Sequence, residues 1–287
     1  LLFEYSESKD EGTRSMVSEC LGKFTQIDNN IFNEINKLLK SQNDNIKATM
    51  AGAIKYSLDK NVSFYLPPNT VKIFLDLLSD NNINVQRQSF LTINSILHVN
   101  NKLIVKYLND ILPLIYKNTI TNTSLIREVD LGPFKHRVDD GLPLRKASFQ
   151  CLDTLLDSTP NSLDIVEFLK YLVNGINDES PDIQMLTYQV LTKLALNHGQ
   201  SIIQNLDILP GKLMKGIKGK MNEAKSQKDG ERARDILRTA VKALYTLRNI
   251  PNVNKARKFV TFYSRVEKTK ILIPMIAELK KDNKNKK

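Results

Sequence analysis

Apolar residues in this chain recur at helical spacing, in blocks separated by short polar turns. In one block Val85, Phe90, Ile93, Ile96 and Leu97 fall close to one helical face. In another, Leu144, Ala147, Cys151, Leu152 and Leu155 do the same. Three blocks open alike, on a polar turn and a β-branched residue. The openings are Asn43-Asp44-Asn45-Ile46-Lys47, Asn81-Asn82-Ile83-Asn84-Val85-Gln86-Arg87 and Glu179-Ser180-Pro181-Asp182-Ile183-Gln184. Ile46 and Val85 are 39 residues apart, Val85 and Leu144 are 59 apart, and Leu144 and Ile183 are again 39 apart. A period of about 40 residues with two helices per unit predicts an all-α fold, a HEAT or armadillo-type α-solenoid.

The first helix of each unit is expected at 31–40, 69–79, 103–117 and 162–176, with Asn69, Ser162 and Ser201 as N-caps. Pro67-Pro68 separates one helix from the next. Thr13 to Thr25 reads as the second helix of a unit whose first helix is missing or truncated. With Leu1 in place of a starting Met, this suggests a piece of a longer solenoid. Beyond Leu209 the period fades. Helices are expected over 230–248 and within 255–281, with 282–287 frayed. The expected organisation is a repeat solenoid over 1–209, with an insert at 124–141, and a basic helical cap and tail of the same solenoid over 210–287.

The 59-residue interval is about 20 residues too long for the repeat. The surplus lies in 124–141, where Gly132-Pro133 forbids a continuous helix and apolar and charged residues alternate with period two. A hairpin with a Gly132-Pro133 loop sets Leu131 opposite Phe134, Val129 opposite His136 and Arg127 opposite Val138. On its other face Asp130 meets Lys135 and Glu128 meets Arg137, two opposite-charge pairs. Gly at the first loop position supplies the positive φ of a II′ turn. A lone two-stranded hairpin is marginally stable, so it needs its own solenoid or a partner to cover its apolar face. A plain long loop lying on the solenoid is the other reading.

Composition changes the picture in one respect. The 287 residues carry a formal charge of +11, which invites a nucleic-acid partner. The charge is not spread evenly: residues 210–287 carry +15 and residues 1–209 carry −4. Lys212, Lys215, Lys218, Lys220, Lys225, Lys228, Lys284, Lys286 and Lys287 belong to that basic quarter, which reads as a phosphate-tracking stretch or as a solvated helix face. No aromatic residues are interleaved as in a single-strand binder. The repeat body, mildly acidic, argues against nucleic acid there. No apolar run approaches the ~18 residues that span a bilayer, so no membrane partner is expected. No secretory signal is seen, which predicts a reducing, intracellular setting.

No enzyme is expected. Cys20 and Cys151 sit in apolar stripes and read as core hydrophobes. His98, His136 and His198 are far apart and in no ligand pattern. Asp139-Asp140 reads as a turn or cap before Leu144. There is no P-loop, nucleophile elbow or dinucleotide fingerprint. No catalytic, cofactor or metal residues follow.

The stretch Ile126-Arg127-Glu128-Val129-Asp130-Leu131-Gly132-Pro133-Phe134-Lys135-His136, with Val138-Asp139-Asp140-Gly141 and Arg145-Lys146-Ala147, resembles one family. It is the cullin-associated, neddylation-dissociated proteins, also described as TATA-binding-protein-interacting proteins. Gly12-Thr13-Arg14, Glu19-Cys20-Leu21-Gly22-Lys23, Thr154-Leu155-Leu156-Asp157-Ser158 and Asp182-Ile183 with Met185-Leu186-Thr187 also match. The resemblance covers 1–210 well and the basic remainder loosely. It implies C-terminal repeats that bind the N-terminal region of a cullin, the scaffold that also carries a RING subunit in the complete ligase. It implies a projecting hairpin that competes with the substrate-receptor adaptor, promoting receptor exchange in cytoplasm and nucleus. The partner-contacting residues implied are Val129, Leu131, Gly132, Pro133, Phe134, Lys135, His136, Arg137 and Val138, with Phe134 as anchor. Without upstream repeats this region should bind weakly and leave neddylation unblocked. The competing readings are a karyopherin-like transport receptor and a scaffold for nucleic acid or transcription factors.

Overall fold

The computed structural model describes residues 1–58, 66–132, 134–224 and 230–285, without the side chains of Leu131, Phe134 and 283–285. The chain forms two compact units, Leu1–Ser162 and Leu163–Lys287.

In the first unit, four long helices lie side by side in chain order. They are α1 (Glu11–Thr25), α3 (Asp44–Ser57), α5 (Ile83–Asn100) and α8 (Leu142–Ser158). Shorter helices form the other layer: α2 (Ile31–Leu38), α4 (Pro68–Asp76, continued by a 3-10 turn Leu77–Ser79), α6 (Lys102–Val105) and α7 (Leu108–Lys117). The core runs between the layers. Ile35, Met50, Ile54, Phe74, Phe90, Ile93, Ile96, Phe149, Leu152 and Leu155 are fully buried there. Both apolar stripes expected on α5 and α8 are buried throughout. The α1 stripe is narrower than its sequence suggests: Val17 and Leu21 are buried, while Met16, Cys20 and Phe24 are exposed.

One helix-entry arrangement recurs at the spacing of the repeat. An Asp or Ser side chain accepts the N–H two residues on: Ser41 from Asn43, Asp80 from Asn82, Asp139 from Gly141 and Asp178 from Ser180. The side chain six residues on then closes the turn. Gln86 donates to the Asp80 carbonyl, and Gln184 donates to the Asp178 carbonyl. At the equivalent place Lys47 bridges Asp44, at 2.9 Å, and Asp80 of the next repeat. The polar turns are thus capping devices, with Asn43 and Asn82 accepting the first helical N–H groups.

The first helices depart in detail from their expected limits. Residues 103–117 break at Tyr107, whose φ of −110° and ψ of 6° are not helical. The stretches 69–79 and 162–176 each end in a 3-10 turn. None of the three expected N-caps is one. Pro68 opens α4 because its fixed φ suits the first helical position, which puts Asn69 inside the helix. Ser162 ends a 3-10 turn (Pro160–Ser162), and the cap of the following helix is Asp164, which accepts from Val166 and Glu167. Ser201 lies within a short helix that starts after His198.

The second unit holds α9 (Ile165–Leu172), α10 (Pro181–Asn197), α11 (Gly199–Ile202), α12 (Leu209–Glu223), α13 (Gly230–Arg248), α14 (Arg257–Val266) and α15 (Ile273–Asn285). Helices α10 and α13 pack side by side, with α12, α14 and α15 against α13. Leu191, Leu194, Leu213, Leu237, Leu244 and Phe259 form the core. The described part of the basic quarter is therefore helical. Helix α15 runs to Asn285, so the expected fraying does not hold for 282–285, and 286–287 lie outside the described residues. Lys212 packs: burial pushes its ammonium pKa down, and its Nζ donates to Asn174 Oδ1 at 3.1 Å. Lys215 and Lys218 are exposed, while Lys225 and Lys228 lie outside the described residues.

Candidate partner-binding hairpin

Between α7 and α8 the chain forms β1 (Ile126–Leu131) and β2 (Phe134–Asp139), an antiparallel pair after a 3-10 turn at Thr123–Leu125. The register is the one expected: Leu131 opposite Phe134, Asp130 opposite Lys135, Val129 opposite His136, Glu128 opposite Arg137 and Arg127 opposite Val138. Gly132 has a φ of +69°, a left-handed conformation that glycine adopts without strain. Its neighbour Pro133 lies outside the described residues.

None of the hairpin's described side chains is core. Glu128, Asp130, Lys135, His136 and Arg137 are exposed, and Val129 and Val138 are half-buried. For Leu131 and Phe134 the structure places backbone alone. One expected ion pair differs in partner. Lys135 reaches diagonally to Glu128, at 3.5 Å, a reach within that of a long side chain.

The hairpin is held at its stem. Arg127 grips Asp140 with two hydrogen bonds, Nε to Oδ2 at 2.6 Å and Nη2 to Oδ1 at 3.3 Å. The Asp140 N–H donates to the Leu125 carbonyl at 3.0 Å. Asp139 accepts from the Gly141 N–H and from Arg145, whose Nη2 lies 2.9 Å away. Arg145 is only 3% exposed and Asp139 14%. Asp139 and Asp140 thus turn the chain into α8, as their sequence suggests, and also anchor the hairpin to it. Arg145 was not among the expected site residues. Its signal was its place, six residues after an aspartate, where other units carry glutamine.

Elsewhere the described residues hold no group of three or more His, Cys, Asp or Glu arranged for a metal ion. Cys151 is fully buried, its Sγ 3.3 Å from the Phe90 carbonyl, and burial pushes its thiol pKa up. His98 shares a 3.1 Å hydrogen bond with Thr154. Among the described residues no helix is long and apolar enough to cross a membrane.

Stacked helix pairs with a hairpin grafted between two of them define a HEAT/armadillo-type repeat protein. A solved engineered protein has the same fold, with a TM-score of 0.54, 14% identity and coverage of 86% of this chain and 96% of its own. A computationally designed armadillo repeat protein aligns with a TM-score of 0.47 at 13% identity, over 83% of this chain and 98% of its own. The chain belongs to the family described as TATA-binding protein interacting (TIP20), which matches residues 103–267 and so includes the hairpin. It is 36% identical over 273 residues to Cullin-associated NEDD8-dissociated protein 1 of Dictyostelium discoideum, covering 94% of this chain and 22% of that protein. It is 33% identical over 285 residues to Cullin-associated NEDD8-dissociated protein 2 of Rattus norvegicus, covering 98% and 22%. A relative in Emericella nidulans is named as the C-terminal part of such a protein; it is 29% identical over 232 residues, covering 79% and 22%. The chain thus spans about a fifth of the length of these relatives.

Proposed function

We propose that this chain is a cullin-binding repeat region whose hairpin competes with a substrate-receptor adaptor for the cullin's N-terminal region. The observation that carries this reading is the hairpin itself. It presents Lys135, His136 and Arg137 outward, buries no described side chain of its own and is fixed at its stem. The relatives' names supply the partner, since they are called cullin-associated. Val129, Leu131, Phe134 and His136 would form the apolar contact, with Phe134 as anchor, because buried aromatics dominate interfaces. Gly132 and Pro133 would form the tip, and Lys135, Arg137 and Val138 its flank.

Two ligands that clash on one scaffold weaken each other by the same factor. A partial clash permits a short-lived ternary complex, in which each 1.4 kcal/mol of mutual strain speeds departure about tenfold. The outcome is exchange of receptors on the ligase, with the RING subunit and the rest of the cullin engaged by other parts of the full-length protein, in cytoplasm and nucleus. The test is a pull-down by the full-length protein of a recombinant cullin N-terminal region, with and without adaptor. Capture that falls as adaptor is added supports the proposal, and equal capture at saturating adaptor contradicts it.

A further inference from the structure

A cavity of about 240 Å³ lies in the first unit, across three neighbouring repeats. Its walls come from the first halves of α1 and α5 and from α3. Four charged groups meet there: Glu11 and Arg14 of α1, Lys55 of α3 and Arg87 of α5. Three cations thus face one carboxylate, in a stretch of chain, 1–209, that carries a net −4. None of the four belongs to the hairpin or its stem. The cations are positioned but not neutralised. Arg14, half-buried, spends Nη1 on the Ser8 and Lys9 carbonyls, at 2.6 and 3.0 Å. Carbonyls orient a guanidinium and leave its charge in place. Asp10 stands near enough to feel that charge, but its carboxylate caps α1 through Thr13. Arg87 touches Glu11 through Nη1 alone, at 3.4 Å, and Glu11 is 71% exposed. Lys55, half-buried, lies 4.9 Å from the centre of the Tyr56 ring and has no carboxylate partner among the described residues. Ser15, Asn84 and Gln88 add a hydroxyl and two amides that make no side-chain hydrogen bonds among the described residues. Half-buried charge without a counter-ion is stabilised by an anion that replaces the lost water.

We propose that this cavity binds a phosphate monoester. Charge selects the class. The lining presents a formal +2, and a phosphoryl group carries about −1.5 to −2 at pH 7 with three acceptor oxygens. A carboxylate would cancel only half of that charge. Donor geometry selects it too. A guanidinium fork pairs with phosphate through two parallel N–H groups, and Arg14 and Arg87 each spend only Nη1 within the protein. Ser15, Asn84 and Gln88 supply donors for the remaining oxygens. Clefts for whole small ligands run to about 300–1,000 Å³, and this one is smaller, so it takes the phosphoryl group and leaves its carrier outside. The same chemistry is offered by a phosphorylated side chain of another protein and by free phosphate. The site is independent of cullin binding and stands whether or not the hairpin meets a cullin.

The experiment titrates the full-length protein near pH 7 with inorganic phosphate, with a phosphoserine peptide and with the same peptide carrying Glu in place of phosphoserine. Two variants accompany it: Lys55→Gln with Arg87→Gln, which removes two cations, and Ser15→Glu, which puts a carboxylate into the cavity from an exposed position. The phosphopeptide is expected to bind the wild type at least about tenfold more tightly than the Glu peptide, and each variant to lose at least about tenfold in affinity for both phosphate probes. If the double variant melts early, Ser15→Glu alone decides. A phosphopeptide that binds more tightly than inorganic phosphate identifies a phosphorylated protein as the source, and equal binding identifies free phosphate; both support the site. No binding of either phosphate probe to the wild type would overturn the proposal. So would a Glu peptide that binds as tightly as the phosphopeptide, or a stably folded variant that binds phosphate as the wild type does.

Discussion

Arg145, buried in the first turn of α8, holds the carboxylate of Asp139, the last residue of β2, at 2.9 Å. In two other units the same two places carry aspartate and glutamine, and there the glutamine amide binds a backbone carbonyl. The hairpin unit keeps the helix-entry geometry and replaces a neutral clamp with an ion pair. That change ties a strand end to a core helix. A hairpin held this way loses less freedom on binding than a loose loop does.

Replacing Arg145 with Met should therefore do two things. It leaves a mostly buried carboxylate with the Gly141 N–H alone, which costs about 3 kcal/mol, the low end for a broken buried pair. It also frees the hairpin. Arg127→Ala, at an exposed pair, should cost under about 1 kcal/mol. Chemical denaturation of the three proteins checks the ranking, and equal losses would contradict it.

Two glycines should respond oppositely to alanine. A Cβ on Gly22 of α1 would stand 2.5 Å from the Ala53 carbonyl oxygen and 2.6 Å from Tyr56 Cβ on α3. The helices would have to separate, at a cost of about 1–3 kcal/mol. A Cβ on Gly219 of α12 meets nothing within 4 Å. There alanine should stabilise by up to about 1 kcal/mol through helix propensity. Melting temperatures of the two variants decide the matter, and a stabilising Gly22→Ala would show that α1 and α3 are not in close contact.

The junction between neighbouring repeats within the first unit should weaken in acid. A hydrogen bond from Lys47 holds the Asp44 carboxyl below its usual range, against the effect of desolvation, with Asn82 assisting. Burial would lower the Lys47 pKa, but its bonds to Asp80 and Asp44 outweigh that and raise it. A carboxylate with a depressed folded pKa contributes stability above its unfolded pKa of about 3.9. That contribution is lost as pH falls through the folded value. Asp44→Asn should remove this part of the pH dependence, a small effect because Asp44 is 46% exposed. Denaturation midpoints compared between about pH 3 and 6 test it, and parallel curves for wild type and variant would rule it out.

The two cysteines should differ in reactivity. Cys20 is exposed and Cys151 fully buried with its thiol pKa pushed up. A maleimide should label one site in the folded chain and two after denaturation. Rapid labelling of both sites in the folded state would contradict the packing of α5 against α8.

The repeat spacing and the hairpin register were legible because both are periodic. A 39-residue recurrence and a two-residue alternation survive without any knowledge of contacts. The N-caps were not legible at Asn69, Ser162 and Ser201, because residues of capping type are common and the deciding proline, 3-10 turn or aspartate sat one or two positions away. Cys20 was misplaced because a stripe of five apolar residues looks alike whether two or all five face inward. Arg145 was hidden for another reason. A charged residue near a helix start reads as surface, and only the strand end delivering Asp139 makes it a buried anchor.

The central claim is that the hairpin evicts the adaptor. It is tested most directly in the full-length protein by replacing Gly132–Arg137 with a short Gly-Ser link. The rate at which adaptor leaves a preformed cullin complex is then followed as protein is added. The account predicts adaptor release at least about tenfold slower than with wild type, corresponding to loss of some 1.4 kcal/mol of clash. Release as fast as wild type, with the linked variant still bound to the cullin, would contradict it.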